Sequence, residues 1–191
     1  MMLLQAERLV AGWQRPAHRP VDFALARGEI LALAGPNGAG KSALLTALAG
    51  GGARIFSGSL QRAEGLRIGF QAQHPPPATG MPISGAEWLA LTGAAPQGLP
   101  DTLADCLDRR LDKLSGGQRQ YLAGWSILQA SAELLRLDEP GTHLDKAGLV
   151  GLPSVLRGRA GRGAGIVLVS HDAELARACC DRLLRIAPCD D

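Results

Sequence analysis

An α/β fold organised as one domain is predicted for these 191 residues by three observations. The apolar, partly β-branched run at 29–34 enters the glycine-rich stretch Gly35-Pro36-Asn37-Gly38-Ala39-Gly40-Lys41-Ser42, and Leu44, Leu45 and Leu48 then recur at helical spacing. Two further apolar runs read as buried strands with chemistry at their ends: Leu134-Leu135-Arg136-Leu137 runs into Asp138-Glu139, and Ile166-Val167-Leu168-Val169 leads to His171. Between these strands the residues from about 116 to 129 and from 146 to 157 read as helices, so strand and helix alternate.

The length is ordinary for one domain with a sizeable core. Hydrophobic residues make up 46% and the net charge is +2, so there is no electrostatic case for nucleic acid. No apolar run approaches the roughly 20 residues that cross a bilayer. The opening Met1-Met2-Leu3-Leu4-Gln5-Ala6-Glu7 lacks a basic region followed by an apolar stretch, which points to a cytoplasmic chain. In that compartment Cys106, Cys179, Cys180 and Cys189 read as reduced thiols, and their spacing suits no common metal site.

In chain order, residues 3–10 and 21–26 read as two short strands joined by a loop that carries Trp13, an aromatic on which a purine could stack. Within the glycine-rich stretch, Gly35, Gly38 and Gly40 let backbone N–H groups turn towards phosphate oxygens. The following helix aims its N-terminus at the same anion, Lys41 adds a point charge, and the Ser42 hydroxyl can ligate Mg²⁺. Gly50-Gly51-Gly52 reads as the helix stop, 54–60 as a strand, and 66–73 as an alternating strand with Gln71 and Gln73 on the face opposite Leu66, Ile68 and Phe70. Prolines then break the pattern, and a helical insertion at about 74–120 is expected, with helices at 84–92 and 101–111. Leu114-Ser115-Gly116-Gly117-Gln118 opens the next helix. Ser115 is a good N-cap, and the read stays open between an ordinary helix start and a second phosphate-facing one. Asp138 at a strand tip suits Mg²⁺ held through water, and Glu139 can polarise a water molecule. Residues 172–180 and 182–186 read as a helix and a short closing strand.

Taken together and in this order, the motifs resemble the ATPase subunit of the ATP-binding-cassette (ABC) family over essentially the whole chain. Residues 35–42 resemble its Walker A loop, with Ala43 next to it; Gln73 resembles the Q-loop glutamine, and 114–118 the LSGGQ signature. Residues 134–138 resemble Walker B, Glu139 the catalytic glutamate, Asp145 the D-loop aspartate, and His171 the H-loop histidine. Trp13 stands where the family places its adenine-stacking aromatic. The resemblance implies a P-loop NTPase (RecA-like) core at about 1–73 and 121–191, an N-terminal antiparallel β part, and an inserted helical subdomain.

The same resemblance implies ATP and Mg²⁺ as ligands, with Ser42, Gln73 and Asp138 serving the metal and Glu139, His171 and Gln73 serving hydrolysis. It implies a head-to-tail homodimer in which residues 115–118 and Asp145 meet the partner's nucleotide. It also implies a membrane permease that holds the chain at the inner face of the membrane, and a periplasmic or extracellular substrate-binding protein. Residues 66–73, with Pro82-Ile83-Ser84 beyond, are similar to ATPases of zinc and manganese importers, while related short cassettes serve iron chelates, vitamin B12 and haem export. Three departures bear on activity: Ala43 lacks the family's second hydroxyl, Arg136 interrupts an apolar strand, and Gly141 replaces a hydroxyl residue. They leave a module that closes on ATP without turnover, or a non-transport cassette, as alternatives to a transport ATPase.

Overall fold

The computed structural model describes residues 1–71, 81–97, 99, 101–142, 144 and 146–189. Gln73 and Asp145 lie outside the described residues. The first strands are β1 (Met2–Gly12), β2 (Val21–Ala26) and β3 (Ile30–Ala34), followed by helix α1 (Lys41–Ala47). Strands β4 (Arg54–Arg62) and β5 (Ile68–Gln71) precede α2 (Gly85–Thr92) and the single turn α3 (Asp101–Ala104). Then come α4 (Gly116–Gln129), β6 (Leu134–Asp138), α5 (Lys146–Gly161), β7 (Gly165–Val169), α6 (Ala173–Cys179) and β8 (Arg182–Arg185).

Two sheets form. An antiparallel one has the order β2-β1-β4, and a five-stranded one has the order β5-β6-β7-β3-β8 with parallel pairing throughout. This is the mixed α/β architecture that the sequence predicts. The parallel sheet is apolar on both faces because both are covered. Leu31, Leu33, Val167 and Val169 pack with α1 and with Leu4, Leu9, Phe23 and Leu25 of the antiparallel sheet. Ile30, Leu135, Leu137, Ile166 and Leu168 face the other way, onto Leu152, Leu156 and Ala160 of α5 and Leu175 of α6. A third cluster joins α2 to α4 through Leu89, Leu122 and Trp125 with Cys106, Leu111 and Leu114. Two indoles there satisfy their N–H groups: Trp88 donates to the Ser126 hydroxyl at 2.9 Å and Trp125 to the Ala95 carbonyl at 2.8 Å.

Several expectations need correction. The helix expected over 101–111 is only Asp101–Ala104, with a separate 3₁₀ turn at Leu111–Lys113. Its apolar side chains are claimed by α2 and α4 rather than by a helix face of their own. Helix α5 runs past Arg157 to Gly161 and carries Pro153 inside it, because Leu156 and Ala160 continue the stripe that the sheet buries. The faces of β5 alternate as read, with Ile68 packed partly buried against the core. Gln71 is buried against α4, where a Cβ on Gly124 would lie 2.8 Å from its amide nitrogen, and Phe70 is 39% exposed.

His18 anchors the loop between β1 and β2. It is fully buried, accepts from the Ala11 N–H through Nε2 at 3.0 Å, and its Nδ1 lies 2.8 Å from the Arg19 carbonyl. With Nε2 accepting, the proton sits on Nδ1. Burial holds the imidazole below its ordinary pKa of 6.5, against the opposing pull of the Arg19 carbonyl. A depressed histidine stabilises the fold above the unfolded value, and that stability is lost as pH falls from about 6.5 through the folded value. The unfolding free energy should therefore fall between pH 7.5 and 5.5, at up to about 1.4 kcal/mol per pH unit, and the midpoint of thermal unfolding should fall with it. His18→Gln should flatten that dependence in melts followed by circular dichroism.

Candidate functional site: a phosphate-binding cleft

The cleft forms where three neighbouring parallel strands end. Strand β3 stops at Ala34 and the chain turns through residues 35–40 into α1. Close approach dictates two glycines in that turn. A Cβ on Gly35 would stand 2.3 Å from the Ile186 carbonyl oxygen, and one on Gly40 would stand 2.9 Å from both the Ala17 Cβ and the Ala17 carbonyl oxygen. Gly40 also has φ +87° and is the N-cap of α1, so the helix dipole opens directly onto the cleft. Lys41 is almost fully buried and its ammonium donates to the Gly35 and Pro36 carbonyls, both at 2.9 Å. The Ser42 side chain is exposed towards the opening.

The tips of β6 and β7 complete the wall. Asp138 ends β6 and is 8% exposed. Glu139 follows in a left-handed conformation, φ +51°, which is unusual for a side-chain-bearing residue. That turn is held by the Glu139 N–H donating to the Val169 carbonyl at 2.9 Å. It sends the carboxylate towards His171, whose backbone N–H donates to Oε2 at 3.2 Å and whose Nε2 lies 3.4 Å from Oε1. The carboxylate is thus oriented by His171 while Oε1 keeps no hydrogen bond of its own.

Asn37, Gly38, Gly40, Lys41, Ser42 and Ala43 line the resulting cleft of about 690 Å³. Across from them stand Trp13, Asp138, Glu139 and His171. Trp13 is half exposed. Gly35 and Pro36 contribute their carbonyls to Lys41, and Ala39 is buried beneath the loop. Ala17 and Val169 also line the cleft and were not singled out in the sequence. Ala17 is the floor that excludes a side chain at position 40; the only sequence signal was a small residue in a loop of prolines and arginines. Residues 115–118 do not line this cleft. Ser115 instead caps α4 reciprocally with Gln118, Oγ accepting from the Gln118 N–H at 3.2 Å and the Ser115 N–H donating to Oε1 at 3.0 Å. Ser115 and Gly116 are exposed, and nothing stands within 4 Å of a Cβ built on Gly116.

Chemically, the cleft offers the N-terminus of α1 and one ammonium for a polyphosphate, and an aromatic ring beside them. Its hard oxygen donors, the Ser42 hydroxyl and the Asp138 carboxylate, are of the kind Mg²⁺ takes alongside phosphate oxygens. These are the features of a phosphate-loop nucleotide-binding protein.

Comparison with known proteins agrees. The sequence profile of the ABC transporter family matches residues 18–142. The zinc import ATP-binding protein ZnuC of Marinobacter nauticus is 34% identical over 95% of this chain and 73% of its own length. ZnuC of Paracoccus denitrificans is 35% identical over 91% of this chain and 70% of its own. Among solved structures, the ATP-binding subunit of an ABC transporter superposes with a TM-score of 0.78 over 97% of this chain and 86% of that one, at 23% identity. An inward-facing transporter assigned to the metal-chelate ABC type superposes at 0.73 over 97% and 79%, at 26% identity. The chain belongs to the ABC transporter ATP-binding family, and as such it is an ATPase that binds ATP. Among the described residues no helix is long and apolar enough to cross a membrane.

If Gly40 must lack a side chain because Ala17 lies beneath it, Gly40→Ala should lower nucleotide affinity at least about tenfold. Equilibrium titration with a fluorescent ATP analogue checks this, with the far-ultraviolet circular dichroism unchanged.

Proposed function

We propose that this chain is the ATP-hydrolysing subunit of a metal-ion importer, driving transport through a separate membrane permease. One observation carries the mechanism. The phosphate loop, Asp138, Glu139 and His171 converge on one cleft, while the exposed helix start at Ser115 lies outside it. A lone cleft of this kind leaves the γ-phosphate open to water. A second copy in head-to-tail contact would close it by bringing the N–H groups at 116 and 117, and Asp145, onto the nucleotide. ATP then acts as the glue of a homodimer, and hydrolysis releases it.

Within that arrangement Trp13 stacks on the adenine, residues 35–43 hold the phosphates, and Lys41 leaves the Gly35 and Pro36 carbonyls to meet the β- and γ-phosphates. Ser42, Gln73 and, through water, Asp138 would hold Mg²⁺, which would supply positive charge against that of the phosphates. Glu139 orients and polarises the attacking water, and His171 fixes the carboxylate and contacts the γ-phosphate. Gln73 reports nucleotide state to the segment at about 74–120, whose groove receives a cytoplasmic helix of the permease. The chain therefore works at the inner face of the membrane, with a periplasmic or extracellular binding protein supplying the ion. Support for metal import comes from the zinc-import relatives.

Phosphate release and mass in solution test the reading. Wild type should turn over Mg-ATP, whereas Glu139→Gln should lose turnover by at least about a hundredfold and become a dimer when Mg-ATP is present. Normal turnover by the variant would remove Glu139 from its assigned role. Nucleotide binding without phosphate release by wild type would favour a module that only closes on ATP.

A further inference from the structure

Strand β6 is fully buried, yet its central residue is Arg136, 5% exposed. A cation in that position is costly unless something replaces its water. Its partners here are carbonyl oxygens and an aromatic face rather than a carboxylate. Nη1 donates to the Leu45 carbonyl and, at 3.3 Å, to the Thr46 carbonyl, and the guanidinium lies 4.4 Å from the centre of the Phe70 ring on β5. Arg62, from the far end of β4, takes the next two carbonyls: Nε donates to Leu48 at 2.9 Å and Nη2 to Ala47 at 2.8 Å.

Leu45, Thr46, Ala47 and Leu48 are the last four carbonyls of α1 and its cap, the groups a helix cannot satisfy within itself. Two of them also accept from the turn amides of Ala49 and Gly50, but all four accept from an arginine. Burial, with the Arg62 charge nearby, pushes the Arg136 pKa down to about 10, so it remains a cation at neutral pH. Two positive charges therefore sit at the negative end of the helix whose positive end faces the phosphates. Alternation along β6 puts Arg136 on the same face as Asp138, two residues on. Helix α1 is seven residues, or about 10 Å, long.

We propose that Arg136, assisted by Arg62, is a positioning residue that locks the C-terminal end of the phosphate-loop helix to the strand bearing Asp138. It thereby fixes Lys41 and Ser42 against that carboxylate before Mg-ATP arrives. The role rests on the ATPase reading. It explains why a buried arginine sits in a strand that otherwise carries only leucines before the aspartate.

The test measures thermal stability, equilibrium binding of a fluorescent ATP analogue with Mg²⁺ or with EDTA, and ATP turnover. It uses wild type, Arg136→Met, Arg136→Lys and Arg62→Met. Arg136→Met should weaken Mg-nucleotide binding and raise KM about five- to twentyfold, with kcat within about threefold. The loss should be smaller in EDTA, where the spacing of Ser42 and Asp138 no longer matters. Arg136→Lys should recover part of the affinity, since an ammonium reaches these carbonyls without the fork geometry. Arg62→Met, on an exposed strand, should shift affinity the same way by about two- to fivefold. It decides the matter if Arg136→Met does not fold. Unchanged Mg-nucleotide affinity in the folded variants, whatever their melting temperatures, overturns this role alone and leaves Arg136 a packing residue. A wild type that binds no nucleotide overturns the ATPase reading and this role with it.

Discussion

The constraint on which the structure depends is that an anion must be held by backbone N–H groups at one point. Those groups become available only where a strand ends and a helix begins within a few residues. Strand β3 and helix α1 meet that requirement, and the architecture around them keeps the junction open and rigid. Parallel pairing of β3 with β7, and of β7 with β6, brings their carboxyl ends to the same edge. Asp138, Glu139 and His171 thus face the phosphate loop although they lie about a hundred residues away in sequence. The antiparallel sheet contributes from the other side, with the loop after β1 supplying Trp13 to the rim and Ala17 beneath Gly40.

A polar site at the edge of a buried sheet sets a second problem, because the elements that carry it are short. Helix α1 has seven residues, too few to be stable without tertiary support. Its apolar side, Leu44, Leu45 and Leu48, enters the core between the two sheets, and its carbonyl end is closed by Arg62 and Arg136. Glu139 shows the same economy: its left-handed backbone donates to the Val169 carbonyl and accepts from the Thr142 N–H, and the carboxylate is held by His171. In both places backbone strain or a buried charge is tolerated where it positions a group at the cleft.

Much of this was legible in the sequence where chemistry is written locally. The glycines at 35, 38 and 40, the Ser42 that follows Lys41, and the acids at the end of β6 stand out by local spacing, although the contacts that require Gly35 and Gly40 come from Ile186 and Ala17. What escaped was set by distant partners. Gln71 is buried where α4 covers β5 while Phe70 is exposed, and a strand's own alternation does not say which positions will be covered. The stretch at 101–111 has helical spacing but lost its helix to the competing claims of α2 and α4.

Arg136 is the sharpest case of this divide. Read along the chain it is an interruption of a buried strand, a reason to doubt full activity. Read in three dimensions its charge lies against the carbonyl end of α1, beside the ring of Phe70. The polar residue and the polar helix end answer each other, and neither is intelligible from its own segment. Because the helix has its phosphate-binding end at one extremity and Arg136 at the other, a substitution that looks like a defect of the strand is equally a statement about how firmly the nucleotide site is held.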